Sequence, residues 1–390
     1  MRLDWLLHPL KIGKLRNALE NQPPRSFAFL VKLRSRKEEG SKVELARGDA
    51  GRQRGKADST FRSGLIKLLR MSDLIPQFSD VEDAAVRIRR YAHQTPVMTC
   101  SVLNERSGRE LFFKCELFQK VGAFKFRGAC NAVLKLSEED ASRGVATQSS
   151  GNHAQALALA AKLRGITAHI VMPRTTPSVK KNAVLEYGAR VIECEPTLVA
   201  RESTVERVCE ETGAIYVPPY NYPDVIAGQG TVALEFLQQV PELDAIIAPV
   251  GGGGLISGIC LAARSIKPHI RIFGGEPAGA DDAFQSKLAG TIIPQTSPRT
   301  IADGLLTSLG DLTWPFVRDH VEQIIRVSED EIVGAMRLVW ERAKLMVEPS
   351  SAVALAAVLS DEFKSIGNLK KVGVVLTGGN VDLDRLPWLR

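Results

Sequence analysis

Lys125 stands between two phenylalanines, Phe124 and Phe126, in the stretch Lys114-Cys-Glu-Leu-Phe-Gln-Lys-Val-Gly-Ala-Phe-Lys125-Phe-Arg-Gly128. An amine in a partly apolar corner loses its proton more easily than a solvated one, because desolvation disfavours the ammonium. A neutral amine can condense with a carbonyl. A lone lysine at a helix start is ordinarily a surface charge, so its weight depends on what else the chain supplies. Pro249-Val-Gly251-Gly252-Gly253-Gly254-Leu255 follows an apolar run and opens a helical pattern. Bare amides at a helix N-terminus, with no side chains in the way, cradle an anion such as a phosphate. The pattern is neither of the two common nucleotide-binding glycine motifs. Thr147-Gln-Ser149-Ser150-Gly151-Asn152-His153 and Val375-Leu-Thr377-Gly378-Gly379-Asn380 are further polar corners, each after an apolar run. Either would pass for a helix cap or turn by itself. Together the four stretches suggest a phosphate-bearing aldehyde held on a lysine.

These corners need elements to place them. An apolar strand over 111–113 leads through a turn at Gly122 into a helix that carries Ala129, Ala132, Val133 and Leu136. Further strands are expected at 144–147, 168–172, 190–193, 245–250, 270–275, 321–327 and 372–376, with helical patterns such as 154–163 and 331–345 between them. Asp80 is expected to cap a helix, Thr95 to Thr99 to be extended, and Ser101 to cap a short helix. Several strands are continuous apolar runs, as in a parallel sheet covered on both faces. Strands alternating with helices predict an open, doubly wound α/β architecture, in which strand carboxyl ends converge on one crevice.

The chain has 390 residues, 44% hydrophobic and 24% charged, and its length favours two domains. No run approaches the ~18 apolar residues of a membrane span. The formal charge of +7 hints at nucleic acid until it is divided. Residues 1–70 hold 17 Lys/Arg against 7 Asp/Glu, leaving 34 against 37 for the rest, a net of −3. The basic character therefore belongs to the extension, and the body gives no electrostatic case for a nucleic-acid partner. Residues 1–70 read as a basic, mostly disordered extension, with an organelle-targeting role weakly supported and Met71 a candidate alternative start. The six cysteines form no C-x-x-C pair and fit the reduced thiols of a cytoplasmic protein. His8, His93, His169, His269 and His320 lack metal-ligand spacing.

Phe124-Lys125-Phe-Arg-Gly128, Ser149-Ser-Gly-Asn-His153, Gly251 to Gly254 and Thr377-Gly-Gly-Asn380, in this order over roughly residues 78–388, resemble the fold-type II pyridoxal-phosphate enzymes, the tryptophan synthase β-like class. Within the serine/threonine dehydratase family the likeness is closest to the serine racemases, the plant-like ones in particular. The resemblance implies two open twisted α/β domains with the cofactor between them: a large one from 71–142 and 222–390, and a small mobile one from 143–221. It implies Lys125 as the lysine that holds pyridoxal 5'-phosphate, Phe124 beside the ring, Asn152 at its phenolic oxygen, and Gly251, Gly252, Gly253, Gly254 and Leu255 at its phosphate. Thr377, where most relatives carry Ser, would face the pyridine nitrogen. Tyr220 joins the cofactor residues but stands where the animal enzymes have Asn, and Gln148 where many relatives have His.

Racemisation needs a proton acceptor on each face of the reacting carbon. The resemblance gives one face to Lys125 and the other to Ser150, where plain dehydratases usually carry Ala. Glu276 and Asp282, with the Ala280 carbonyl, offer hard oxygens suited to Mg²⁺, or to Ca²⁺ or Mn²⁺. Spacing alone reads that segment as a solvated turn; the resemblance reverses the preference. It further implies a homodimer and activation by ATP, with Ser101, Lys120, Gln155, Tyr187, Lys344 and Asn380 at matching positions. Only ten residues follow Asn380, too few for the regulatory domain of biosynthetic threonine dehydratases. The function expected is serine racemisation with side elimination to pyruvate and ammonia. The alternatives are a catabolic threonine/serine dehydratase, a hydroxyaspartate dehydratase or, from another class, a basic-arm nucleic-acid-binding protein.

Overall fold

The computed structural model describes residues 75–389, so the readings made for residues 1–70 and Met71 lie outside it. Leu74–Arg390 form one compact unit with two sheets. The strands are β1 (Val97–Met98), β2 (Glu110–Cys115), β3 (Val145–Gln148), β4 (Ala168–Pro173), β5 (Arg190–Cys194), β6 (Ile215–Tyr216), β7 (Ala245–Pro249), β8 (Arg271–Pro277), β9 (Gln323–Val327) and β10 (Lys371–Leu376). The larger sheet has the order β1-β2-β10-β7-β8-β9, parallel except for β1, and the smaller has the order β5-β4-β3-β6, wholly parallel.

The continuous apolar runs have the cause expected of them. Along β7, Ala245 and Ile247 pack into one core cluster and Ile246 and Ala248 into the other; β8 divides Phe273 and Ile272 the same way. Alternate residues point to opposite faces, so a strand covered by helices on both sides has no polar position to spare. A third cluster joins the smaller sheet to the helices Lys125–Lys135 and Asn152–Arg164.

Three local expectations need correction. The first helix runs Phe78–Ile88 with Gln77 at its N-cap, and Asp80 lies one turn inside, where its carboxylate accepts the Gln77 amide at 2.8 Å. Cys100, not Ser101, is the N-cap of the short helix Ser101–Ser107. The helix expected over 331–345 starts at Glu329, held by a Ser328–Glu331 capping box, and ends at Leu338. A wider turn, Val339–Ala343, then carries the chain to Lys344 in the left-handed region. Among the described residues no helix is long and apolar enough to cross a membrane, and all six cysteines are unpaired.

Candidate active site

Between β2 and the helix that carries Lys125, the chain makes two short turns, Glu116–Phe118 and Lys120–Gly122. Gly122 adopts φ +68°, and a Cβ there would come 2.7 Å from Asn380 Oδ1, so both conformation and space call for glycine. The Phe124 amide donates to the Thr377 carbonyl at 3.0 Å, which ties the helix start to the end of β10. Lys125 opens the helix Lys125–Lys135. Its Nζ donates to the Pro219 carbonyl at 2.7 Å and lies 5.2 Å from the Phe124 ring centroid. Burial lowers its pKa to about 8, against the pull of the Glu348 carboxylate.

Two residues on, the buried Arg127 anchors this helix start. Its guanidinium pairs with Glu116 (Nε to Oε2, 2.7 Å) and Glu235 (Nη1 to Oε1, 2.8 Å), and Lys114 Nζ reaches Glu235 at 3.0 Å. Two cations thus meet two carboxylates, as buried charges require.

The glycine corner follows β7. Gly253, at φ +83°, is the N-cap of the helix Gly254–Ile266. Among the described residues the amides of Gly252, Gly253, Gly254 and Leu255 donate to no protein acceptor. A Cβ on Gly252 would lie 2.5 Å from the Tyr220 ring, and one on Gly254 would lie 2.7 Å from Tyr220 Cβ. Tyr220, next to the Pro219 carbonyl that holds Lys125, therefore lies against the glycine loop. Its phenol is pushed up to about 12 by burial and by the Asp282 charge, with Thr307 acting the other way.

Glu348, which the sequence reading passed over, joins the third corner to the turn after β10, and Asn380 joins both to the first. Asn152, first in the helix Asn152–Arg164, donates Nδ2 to both Glu348 oxygens at 2.9 and 3.1 Å, and its Oδ1 accepts from Asn380 Nδ2 at 2.8 Å. Asn380 Nδ2 also donates to the Val121 carbonyl at 2.7 Å. Buried His153 bonds the Val217 carbonyl, and burial, with the Lys125 charge, holds its pKa down at about 3. The Ser150 hydroxyl has no protein hydrogen-bond partner among the described residues. Thr377 is buried at the carboxyl end of β10.

Burial, then the Asp303 charge, raises the Glu348 pKa to about 7, with the Asn152 bonds acting the other way. An acid whose folded pKa lies above its ordinary value of about 4.5 stabilises the fold below that value, and the contribution disappears as pH rises through 7. The thermal midpoint of cofactor-free protein should therefore fall between about pH 5 and 8, by an amount worth at most ~3 kcal/mol. Glu348→Gln should flatten that part of the curve. An unchanged slope in the variant would assign the effect to other groups.

Glu276 and Asp282 are both buried. The Glu276 oxygens accept the Ala283 and Phe284 amides at 3.0 and 2.9 Å, and Asp282 Oδ2 accepts the Leu309 amide at 3.0 Å. Burial raises Glu276 to about 9 and Asp282 to about 7, and the Asp282 charge adds to the rise at Glu276. Among the described residues no group of three or more His, Cys, Asp or Glu side chains gathers as a metal site. Glu276, Asp282 and the nearby buried Ala280 supply oxygens of the kind hard cations take, with the carboxylate oxygens accepting backbone amides here. Of the six positions matched to ATP, Asn380 is bound into the Asn152 network. Lys120 Nζ lies 5.7 Å from the Phe126 ring centroid, and Lys344 Nζ is turned back onto the Glu341 carbonyl. Ser101 and Gln155 lie in the first turns of their helices, and Tyr187 closes the helix Ser178–Glu186.

An open α/β architecture whose strand ends carry a part-buried lysine corner and a glycine loop with unengaged amides defines the class, and residues 88–378 match the family model described as pyridoxal-phosphate dependent enzyme. The chain belongs to that family. It is 56% identical over 309 residues to the serine racemase of Arabidopsis thaliana, covering 78% of this chain and 93% of that protein. It is 52% identical over 314 residues to the β-hydroxyaspartate dehydratase of Paracoccus denitrificans, covering 80% and 99%. The structure of maize serine racemase superposes with a TM-score of 0.79 at 53% identity, covering 80% of this chain and 95% of that one. The residues present fit the family's cofactor. Lys125 is a part-buried amine with a lowered pKa for the aldehyde, and the unpaired amides of 252–255, free of side chains at the three glycines, suit a phosphate.

Proposed function

We propose that this chain interconverts L- and D-serine and, as a side reaction, eliminates water from serine to yield pyruvate and ammonia. One observation carries the reading: a part-buried amine with its pKa lowered towards neutrality, Lys125, and an unengaged hydroxyl, Ser150, sit on corners linked through Asn152 and Asn380. Pyridoxal phosphate, when bound, supplies an electron sink that loosens the Cα proton of an attached amino acid. Lys125 takes that proton on one face and Ser150 serves the other, so the carbon is reprotonated with either hand. Amides of Gly251 to Leu255 would hold the phosphate, Phe124 and Tyr220 would line the ring, and the Asn152 amide, which here donates to Glu348, would serve the phenolic oxygen. Thr377 offers the ring nitrogen a neutral hydroxyl, a weaker partner than a carboxylate. Mg²⁺ at Glu276, Asp282 and the Ala280 carbonyl, ATP near Lys120 and Asn380, a homodimer, closure of a small domain over 143–221 and a cytoplasmic location complete the proposal.

A second reading, hydroxyaspartate dehydration, is favoured by the Paracoccus relative. Chiral product analysis with L-serine, D-serine, L-threonine and 3-hydroxyaspartate, each with and without Mg²⁺ and ATP, separates the two. D-serine formed from L-serine is the required result. Keto-acid release with no D-serine, fastest on hydroxyaspartate, would replace the racemase with the dehydratase.

A further inference from the structure

The four unpaired amides of the glycine corner must be aimed, and glycine gives a peptide no preferred direction of its own. Thr313 lies fully buried behind the loop. Its hydroxyl lies 2.9 Å from the Gly252 carbonyl, with the Gly310 carbonyl second at 3.1 Å, and it accepts the Gly310 amide at 2.9 Å. A peptide unit is planar and trans, so its C=O and N–H point in opposite directions. Once Thr313 draws the Gly252 carbonyl backwards, the Gly253 N–H points forwards, away from the brace. The packing agrees: a Cβ on Gly253 would meet Thr313 Cβ and Leu309 Cδ2, both at 2.9 Å. Thr313 is itself held in place. Leu309 N donates to Asp282, Leu312 N to Asn221 Oδ1 at 3.0 Å, Asn221 Nδ2 to Asp311 at 2.6 Å, and Ser257 Oγ to the Thr313 carbonyl at 3.3 Å. We infer that Thr313 is a positioning residue for cofactor retention: its hydroxyl fixes the orientation of the Gly252–Gly253 peptide, and through it one of the hydrogen bonds offered to the phosphate.

The inference rests on the reading of 251–255 as the phosphate cradle, and the test separates the two. Apoenzyme is titrated with pyridoxal 5'-phosphate and, in parallel, with pyridoxal, the same aldehyde without the phosphate, and dissociation constants are read from absorbance. Thr313→Val should weaken pyridoxal phosphate binding about 10- to 100-fold, the loss expected for one aimed hydrogen bond to a charged group. Pyridoxal binding should stay within about twofold, and Thr313→Ser should restore the wild-type value. Thr313→Ala, which adds no volume, is measured alongside so that a misfolded valine variant does not decide the outcome. Equal loss of both ligands, or loss of neither, would overturn the role of Thr313 while leaving the cradle intact. A wild-type protein that binds the two aldehydes equally well would instead overturn the cradle.

Discussion

Replacing Lys125 by alanine should abolish both D-serine formation and pyruvate release, by at least about 10³-fold, and remove the visible absorbance of lysine-bound cofactor. The size follows from two roles in one atom. In the proposed reaction the amine is both the covalent anchor for the aldehyde and the base on one face of the substrate carbon, and a positioned base alone is worth about 10² to 10⁴. Nothing nearby can take its place. His153 is the adjacent imidazole, but its pKa is held at about 3, and its ring is bound to the Val217 carbonyl. Glu348 is occupied by Asn152. The fold should survive, because Lys125 Nζ makes one bond to a carbonyl while the helix start is anchored by Arg127 and by the Phe124 amide. Circular dichroism of the variant matching the wild type, with the absorbance gone, is the expected pair of results. Retained turnover at even a tenth of the wild-type rate would move the chemistry away from this corner, and so would retained absorbance.

Most strands were legible because they are sandwiched between helices, and a strand with two buried faces writes a continuous apolar run; β5, at a sheet edge with Arg190 and Glu193 exposed, showed only a short apolar centre. The exceptions are β1 and β6, of two residues each. Pairings that short leave no periodicity in a sequence, so 97–98 reads only as extended chain and 215–216 as nothing at all. The corners carrying Lys125, Ser150, Asn152, the four glycines and Thr377 stood out for a related reason: polar and glycine residues are conspicuous where an apolar strand ends.

What stayed hidden acts through groups without a sequence signature. The Pro219 carbonyl that holds Lys125 is backbone. Glu348, just before Pro349, reads as an ordinary helix-start acid, and only folding shows it buried between Asn152 and the Gly378–Asn380 turn. Thr313 reaches the glycine loop from 61 residues away. The Arg127 cluster is an intermediate case. Lys114 and Glu116, flanking Cys115 at the end of β2, are charges where a buried strand should have none. The strand expected over 111–113 stopped short of both, and their partners Arg127 and Glu235 could be matched to them only in space.

Ser150→Ala should separate the two reactions that a shared first step would otherwise keep together. In the proposed reaction, proton removal from L-serine by Lys125 is common to racemisation and to elimination, so L-serine elimination should stay within a few-fold of wild type. D-serine presents its proton to the other face. Racemisation in either direction, and elimination from D-serine, should therefore fall about 10²- to 10³-fold, the range of a lost general acid/base. The structure makes a purely structural effect easy to recognise. The helix that begins at Asn152 is fixed by Asn152 to Glu348 and by His153 to Val217, and Ser150 adds no bond of its own to the fold. Loss of stability is therefore not expected, and the thermal midpoint should move little. Rates with both serine enantiomers and the two products, measured on one preparation, give four numbers with only one consistent pattern. If all of them dropped together, Ser150 would be serving the common step or the fold. If none did, the second face would belong to another group, and the chain would have to be reconsidered as a dehydratase that happens to carry a serine at that turn.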